Sequence, residues 1–303
     1  MTRPGVGIIG LGIMGSAYAE HLIAAGFPVA GFDPDAAAAH RLALLGGDVV
    51  ASPAELAKTS RFVLTALPSV AALETALFED GGLVDGASPG TIVLEMSTFA
   101  LEAKEAARAR LHERGVTMLD CPVSGTGSQA RHKDLAVYAS GDRGGFEAAR
   151  SVLAAFARSV TYVGEFGIGS KLKYVANLLV AIHNLSTAEA IVLGLKAGID
   201  PQLLFEVIAD SAGASRMFSV RGPMMLRDEY DDATMKVDVF QKDIAIIGEF
   251  ARALEVPTPL FALSAAFYTA ALAEGRGKQD TASVAAVLKK MAGLPSEQVA
   301  DLR

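Results

Sequence analysis

Cysteine is almost missing from this 303-residue chain. Cys121 stands alone, so no disulfide can close within the chain, which fits a reducing compartment and makes the cytoplasm the expected location. Basic residues are also short: 27 Lys and Arg stand against 34 Asp and Glu, a formal net charge of -7. A field of that sign repels phosphodiester backbones and anionic bilayers, so neither nucleic acid nor a membrane is an expected partner. The five histidines, His21, His40, His112, His132 and His183, show no ligand spacing with cysteines or carboxylates, and no metal site is expected. Uninterrupted apolar runs of spanning length are lacking as well. The most apolar stretch, 178–195, is broken by His183, Asn184, Ser186, Thr187 and Glu189 and reads as a buried helix. The first apolar run, 6–9, meets a glycine-rich turn at once and lacks the longer core and cleavage site of a signal peptide. Internal repeats, low-complexity tracts and charge blocks are absent too.

What is present is enough apolar residue, 51% of the chain, to fill more than one core, and the length suits two domains. In the first half, short β-branched runs alternate with alanine-rich segments of helical period. The runs are 6–9, 28–32, 62–66, 92–96, 116–119, 136–139 and 160–163, the pattern of a mostly parallel sheet covered by helices. Ser52-Pro53-Ala54-Glu55 marks one helix start, with an N-cap hydroxyl, a first-position proline and a glutamate placed for a capping box. Strand-like runs stop at about Gly164. A long helix over 170–197 follows, then shorter helices, so the expected organisation is a dinucleotide-binding domain over 1–163, a connecting helix over 164–197 and an all-α domain over 198–303. Because 174–195 is apolar on nearly every face, the long helix should be enclosed, between domains or by a second subunit.

Gly10-Leu11-Gly12-Ile13-Met14-Gly15 follows the first strand and opens a helix. Gly10 suits a tight turn, Gly12 lets backbone approach a pyrophosphate, and Gly15 lets helix pack on strand. The pyrophosphate would then sit on the helix N-terminus. Asp33, about 20 residues past that turn, ends the second strand, where a carboxylate accepts from the adenosine ribose and repels a 2′-phosphate. NAD is therefore expected over NADP, although Arg41 could fold back toward a phosphate. Leu67, Pro68 and Thr98, at the carboxyl ends of later strands, are further candidate cofactor contacts, or ordinary turn residues.

Three more segments carry polar groups that a scaffold would not need. After Asp120-Cys121-Pro122-Val123, the Ser124 hydroxyl and the N–H groups of Gly125 and Thr126 could grip a carboxylate. Following Gly167-Ile168-Gly169, Lys173 and Asn177 lie four apart on one helix face, where an amine and an amide could meet one substrate hydroxyl. Phe240-Gln241-Lys242-Asp243 reads as a helix start whose Lys–Asp could be a first-turn charge pair. Cys121 reads as a small packed residue; His183 and Asn184 could contact substrate but read rather as satisfying each other across packed helices.

In order and spacing these segments resemble the β-hydroxyacid dehydrogenase family, from Gly7 to about Met291. The resemblance implies an α/β, Rossmann-type doubly wound sheet, a long interdomain helix and an all-α C-terminal domain that makes a homodimer or homotetramer. It also implies Ser124, Gly125 and Thr126 in the substrate loop, Lys173 as catalytic lysine, Asn177 as its substrate-positioning partner, and Lys242 near cofactor and substrate. Ser211-Ala212-Gly213 and Val237-Asp238-Val239-Phe240 resemble the branch acting on four-carbon sugar acids such as threonate; 3-hydroxyisobutyrate and tartronate semialdehyde are the other substrates the family suggests. Two departures stand out. Residues 128–135 replace the family's usual glycines, Gly-Ala and then Gly-Thr-Leu, with larger polar residues, and Ala176 stands where relatives often carry a second amide.

The expected reaction is hydride transfer between NAD and the hydroxyl-bearing carbon of a small hydroxy acid, with Lys173 taking the hydroxyl proton. A lysine does so only where burial and neighbouring cations disfavour its charged form. Imine reductases look similar in fold but typically lack the lysine, so Lys173 argues against them. A protein that binds NAD without turnover is the other alternative.

Overall fold

The computed structural model describes residues 3–294; residues 1–2 and 295–303, the ends of the expected first and last domains, lie outside it. The chain divides into two compact units, one ending at Lys173 and one beginning at Tyr174.

In the first unit the elements run β1 (Val6–Ile9), α1 (Ile13–Ala24), β2 (Val29–Phe32), α2 (Ala36–Leu44), β3 (Asp48–Val49), α3 (Pro53–Thr59), β4 (Phe62–Thr65), α4 (Val70–Phe78), β5 (Ile92–Glu95), α5 (Leu101–His112), β6 (Thr117–Asp120), β7 (Val123–Ser124), α6 (Gly127–Arg131), β8 (Ala136–Ala139), α7 (Arg143–Phe156) and β9 (Ser159–Tyr162). Six strands form one parallel sheet in the order β3-β2-β1-β4-β5-β6, the doubly wound order that reverses direction between β1 and β4. Each central strand is buried on both faces, which is why it reads as an unbroken apolar run and not an alternating one. Ile8, Leu64, Leu94 and Leu119 pack with Tyr18 and Leu22 of α1 and Phe156 of α7 on one face. Ile9, Val63, Val93 and Met118 pack with Leu56, Leu77 and Leu111 of α3, α4 and α5 on the other.

One expectation is corrected here. The runs at 136–139 and 160–163 do not extend the large sheet; β8 and β9 join β7 in a separate three-stranded sheet, with β7 antiparallel to β8 and β9 parallel to it. The helix start at Ser52 forms as read in its first half: the Ser52 hydroxyl accepts from the Glu55 N–H at 3.2 Å. Its second half differs, since the Glu55 carboxylate accepts from Ala51, one residue short of a capping box.

The long helix α8 (Ile168–Lys196) carries the chain from Lys173 into the second unit, where α9 (Pro201–Ala209), α10 (Arg216–Arg227), α11 (Val237–Ala253), α12 (Pro259–Ala273) and α13 (Val284–Met291) follow. Among the described residues no strand lies beyond β9. The core of this unit gathers Tyr174, Ala181, Ala188 and Ile191 of α8 around Phe218, Phe240, Ile244 and Tyr268. Within the single chain α8 is enclosed only in part: Val175, Leu179 and Leu193 are 56%, 46% and 72% exposed.

Candidate functional site

The turn between β1 and α1 sits at the carboxyl end of the sheet, at the point where strand order reverses. Gly10 adopts φ +92, and a Cβ there would meet the Ala66 carbonyl oxygen at 2.4 Å, so the turn closes tightly on the end of β4. A Cβ on Gly15 would lie 1.8 Å from the Gly10 oxygen. Gly12 is the opposite case: a Cβ there would enter space with nothing within 4 Å, the clearance a pyrophosphate needs. No side chain caps α1 at Gly12, and its first turn holds no acidic residue. These features fit a dinucleotide phosphate on the α1 amides. Ile13 is exposed in that first turn, while Met14 packs against the core.

Leu11 ties the turn to the end of β2. Its side chain is buried and its N–H donates to Asp33 Oδ2 at 2.7 Å, while Asp33 Oδ1 accepts from the Asp35 N–H at 2.8 Å. Each Asp33 oxygen thus holds one backbone donor and retains room for another. Arg41 lines a groove of about 520 Å³ along α1 with Gly12, Ile13, Ser16, Leu44 and Arg131. At the next strand ends, Leu67 and Thr98 are half-buried and Pro68 is exposed. The Leu67 N–H donates to Ser97 Oγ at 3.0 Å, which ties the loops after β4 and β5 together.

In the loop after β7, Ser124 and Gly125 are half-buried and Thr126 is buried. The expected three-donor grip is corrected by one member: the Thr126 N–H is already given to Gln129 Oε1 at 3.0 Å, and the Thr126 hydroxyl accepts from the Gln129 N–H, a capping box that starts α6. Lys133, where the family pattern has a glycine, takes φ +57, so the glycine backbone survives without the glycine.

On α8, Lys173 is 8% exposed and Asn177, one turn on, 4%. Asn177 Nδ2 donates to Asp243 Oδ2 at 2.7 Å. Asp243 was read as half of a first-turn charge pair, but α11 begins at Val237, which puts Asp243 in its second turn, buried at 5%. Its place on the α11 stripe Val237, Phe240, Ile244, Ile247 was a signal available in the sequence. Lys242 is half-buried, with Nζ 3.5 Å from Asp243 Oδ1. Asn184 pairs not with His183 but with the Tyr268 hydroxyl and the Thr281 carbonyl, at 3.0 and 2.8 Å.

Residues 5–164 match the family model for the NAD binding domain of 6-phosphogluconate dehydrogenase, and 167–288 the one for the NAD-binding of NADP-dependent 3-hydroxyisobutyrate dehydrogenase. L-threonate dehydrogenase of Cupriavidus necator is 38% identical over 280 residues, 92% of this chain and 94% of that enzyme. The chain belongs to the β-hydroxyacid dehydrogenase family. Two solved structures share its fold over nearly their whole length. A 3-hydroxyisobutyrate dehydrogenase from Salmonella typhimurium has TM-score 0.86 and 31% identity, covering 94% of this chain and 100% of that one. Psf3 in complex with NADP+ and 2-OPP has TM-score 0.85 and 27% identity, covering 93% and 99%. This dehydrogenase is therefore an NAD(P)-binding oxidoreductase of hydroxy acids.

Beneath its nucleotide crevice the dehydrogenase carries a charged cluster that sequence reading missed. Glu95 and Asp120 end neighbouring strands β5 and β6 in register, and Lys104 of α5 reaches both, at 2.5 and 2.8 Å, with all three side chains fully buried. Lys104 also donates to the Ser97 carbonyl at 2.7 Å. Burial alone would lower the Lys104 ammonium, but the Glu95 and Asp120 carboxylates outweigh it and hold it above its ordinary range. Burial, reinforced by Asp120, pushes the Cys121 thiol well up, so it is a packed residue and not a nucleophile. Asp120 then accepts from the Ser170 N–H and hydroxyl, both at 2.8 Å, and from Ser140 Oγ at 3.0 Å.

Proposed function

We propose that this dehydrogenase oxidises a small hydroxy acid of the threonate class with NAD. The observation that carries the reading is the buried pair on α8: an amine, Lys173, one turn from an amide, Asn177, whose orientation Asp243 fixes. The 38% identity to an L-threonate dehydrogenase supports the four-carbon substrate class. The nicotinamide, when bound, supplies the hydride acceptor and donor. The Gly10–Gly15 turn and the α1 amides hold the pyrophosphate, with Leu67, Pro68 and Thr98 beside it and Lys242 nearby by family pattern. The Ser124 hydroxyl and Gly125 N–H hold the substrate carboxylate. Lys173 takes the hydroxyl proton in oxidation and returns it to the carbonyl in reduction. Asn177, with one N–H committed to Asp243, keeps its second N–H and its oxygen for the substrate hydroxyl.

The Asp33 carboxylate supports NAD over NADP, because its charge opposes a 2′-phosphate at the ribose it faces. A homo-oligomeric, cytoplasmic enzyme completes the reading. NADH formation measured over a panel of 2- and 3-hydroxy acids tests it. Turnover should be greatest on four-carbon sugar acids, and no turnover on any hydroxy acid would overturn the assignment.

A further inference from the structure

The buried cluster does more than fill space, because it reaches the helix that carries the lysine. Helix α8 is preceded by Gly167 at φ +93, which has no side chain to cap with, and opens with Ile168 and Gly169. The role of an N-cap is filled by Asp120, 50 residues earlier, which accepts the Ser170 N–H and hydroxyl. A relay reinforces it: the Gly169 N–H donates to Ser140 Oγ at 3.0 Å, and Ser140 donates to Asp120. The approach is as close as backbone allows. A Cβ on Gly169 would lie 2.4 Å from the Tyr138 carbonyl and 3.1 Å from Asp120 Oδ2. Lys173 follows Ser170 by three residues, so the turn that Asp120 grips is the turn that sets where Lys173 begins.

Asp120 does not hold this place beside an uncompensated Glu95. Its register neighbour Glu95 is a second fully buried carboxylate, and like charges without water between them repel strongly. Lys104 is the cation between them. We propose that Lys104 is a positioning residue for the reaction: by bridging Glu95 and Asp120 it holds the Asp120 carboxylate against the first turn of α8 and so fixes Lys173. The assignment of Lys173 as the proton acceptor is the part of this that rests on the proposed function; the anchoring of α8 does not.

Three proteins test it: wild type, Lys104→Met, and the double variant Lys104→Met with Glu95→Gln. The double variant removes one charge of each sign, so Asp120 keeps its place with no unbalanced neighbour. Two quantities are read, amide hydrogen exchange over 169–173 and the single-turnover rate of hydroxy-acid oxidation at saturating NAD, with NADH affinity measured alongside. In Lys104→Met, exchange over 169–173 should quicken and the rate should fall roughly 100-fold, the scale of an ångström misplacement, while NADH affinity changes far less. The double variant should recover protection and about ten-fold or more of the lost rate, because the carboxylate–carboxylate repulsion is gone and the cluster returns to its wild-type net charge of one minus. Packing alone would make the double variant no better than the single, and that result overturns the proposal. Wild-type exchange and rate in Lys104→Met would overturn it too. If the single variant does not fold, the double decides: native protection over 169–173 supports the anchor and its loss refutes it. If wild type turns over no hydroxy acid, the proposed function fails, and the exchange data still judge the anchor.

Discussion

Asp33 is held by two backbone donors, so its charge can be removed without removing all of its hydrogen bonding. Asp33→Asn keeps an acceptor for the Leu11 N–H and discards the repulsion. At about 4 Å and the effective dielectric of a protein surface that repulsion is worth a few kcal/mol, so the ratio of kcat/KM for NADP over NAD should rise at least about ten-fold. An unchanged ratio in paired assays would show that Asp33 does not discriminate. Lys133 is a second single-residue case. Its φ of +57 costs about 1–2 kcal/mol for an L side chain, more than the roughly 0.5–1 kcal/mol that glycine adds to the unfolded entropy. Lys133→Gly should therefore raise the urea midpoint, by a net of about 0.5–1 kcal/mol; a lower midpoint would mean that the Lys133 side chain contributes more than its strain costs. At this scale the glycine turn was legible because Gly10, Gly12 and Gly15 lie in one strand–turn–helix unit, on which Asp33, just past the next strand, closes through its carboxylate. Lys104 was not, since a lysine between Glu102 and Glu105 in an alanine-rich helix carries no sign of burial. Only the fold reveals that Lys104 is fully buried.

In the second unit, helices α8 and α11 share a hydrogen bond between buried groups, Asn177 to Asp243. Asp243→Ala leaves that amide N–H without its charged acceptor, a loss of about 1.5–3 kcal/mol. If Asn177 positions the substrate oxygen, kcat/KM for the hydroxy acid should fall about 10- to 100-fold with NADH affinity retained. Equal loss in both would place Asp243 in stability alone. Strand-scale reading succeeded for the buried central strands, whose apolar runs end within a residue or so of the observed limits. It could not see β7, because two residues are too few to show a period, and without β7 the independent three-stranded sheet has no seed. The polar stretch over 128–135 was equally opaque: Thr126 reads as an anion donor in the sequence, whereas its capping box with Gln129 commits that N–H within the chain.

Across the molecule, composition alone separated a strand-and-helix half from a helical half, because β-branched runs end where the sheets end. For the enclosure of α8 it left two possibilities, the other domain or a second subunit. Val175, Leu179 and Leu193 on that helix and Leu203 and Val207 on α9 remain exposed, an apolar surface that a lone chain leaves to water. Sedimentation equilibrium should therefore find a dimer or larger assembly at micromolar concentration, and a monomer throughout would remove the homo-oligomer from the reading. In the proposed mechanism, turnover rests on one amine, that of Lys173. The most direct measurement is the steady-state rate of NADH formation from L-threonate by Lys173→Ala beside wild type, with NADH affinity followed by its fluorescence. Loss of proton transfer at Lys173 predicts a kcat lower by roughly 10²- to 10⁴-fold with cofactor affinity kept. A variant that binds NADH and retains most of the wild-type rate would contradict it.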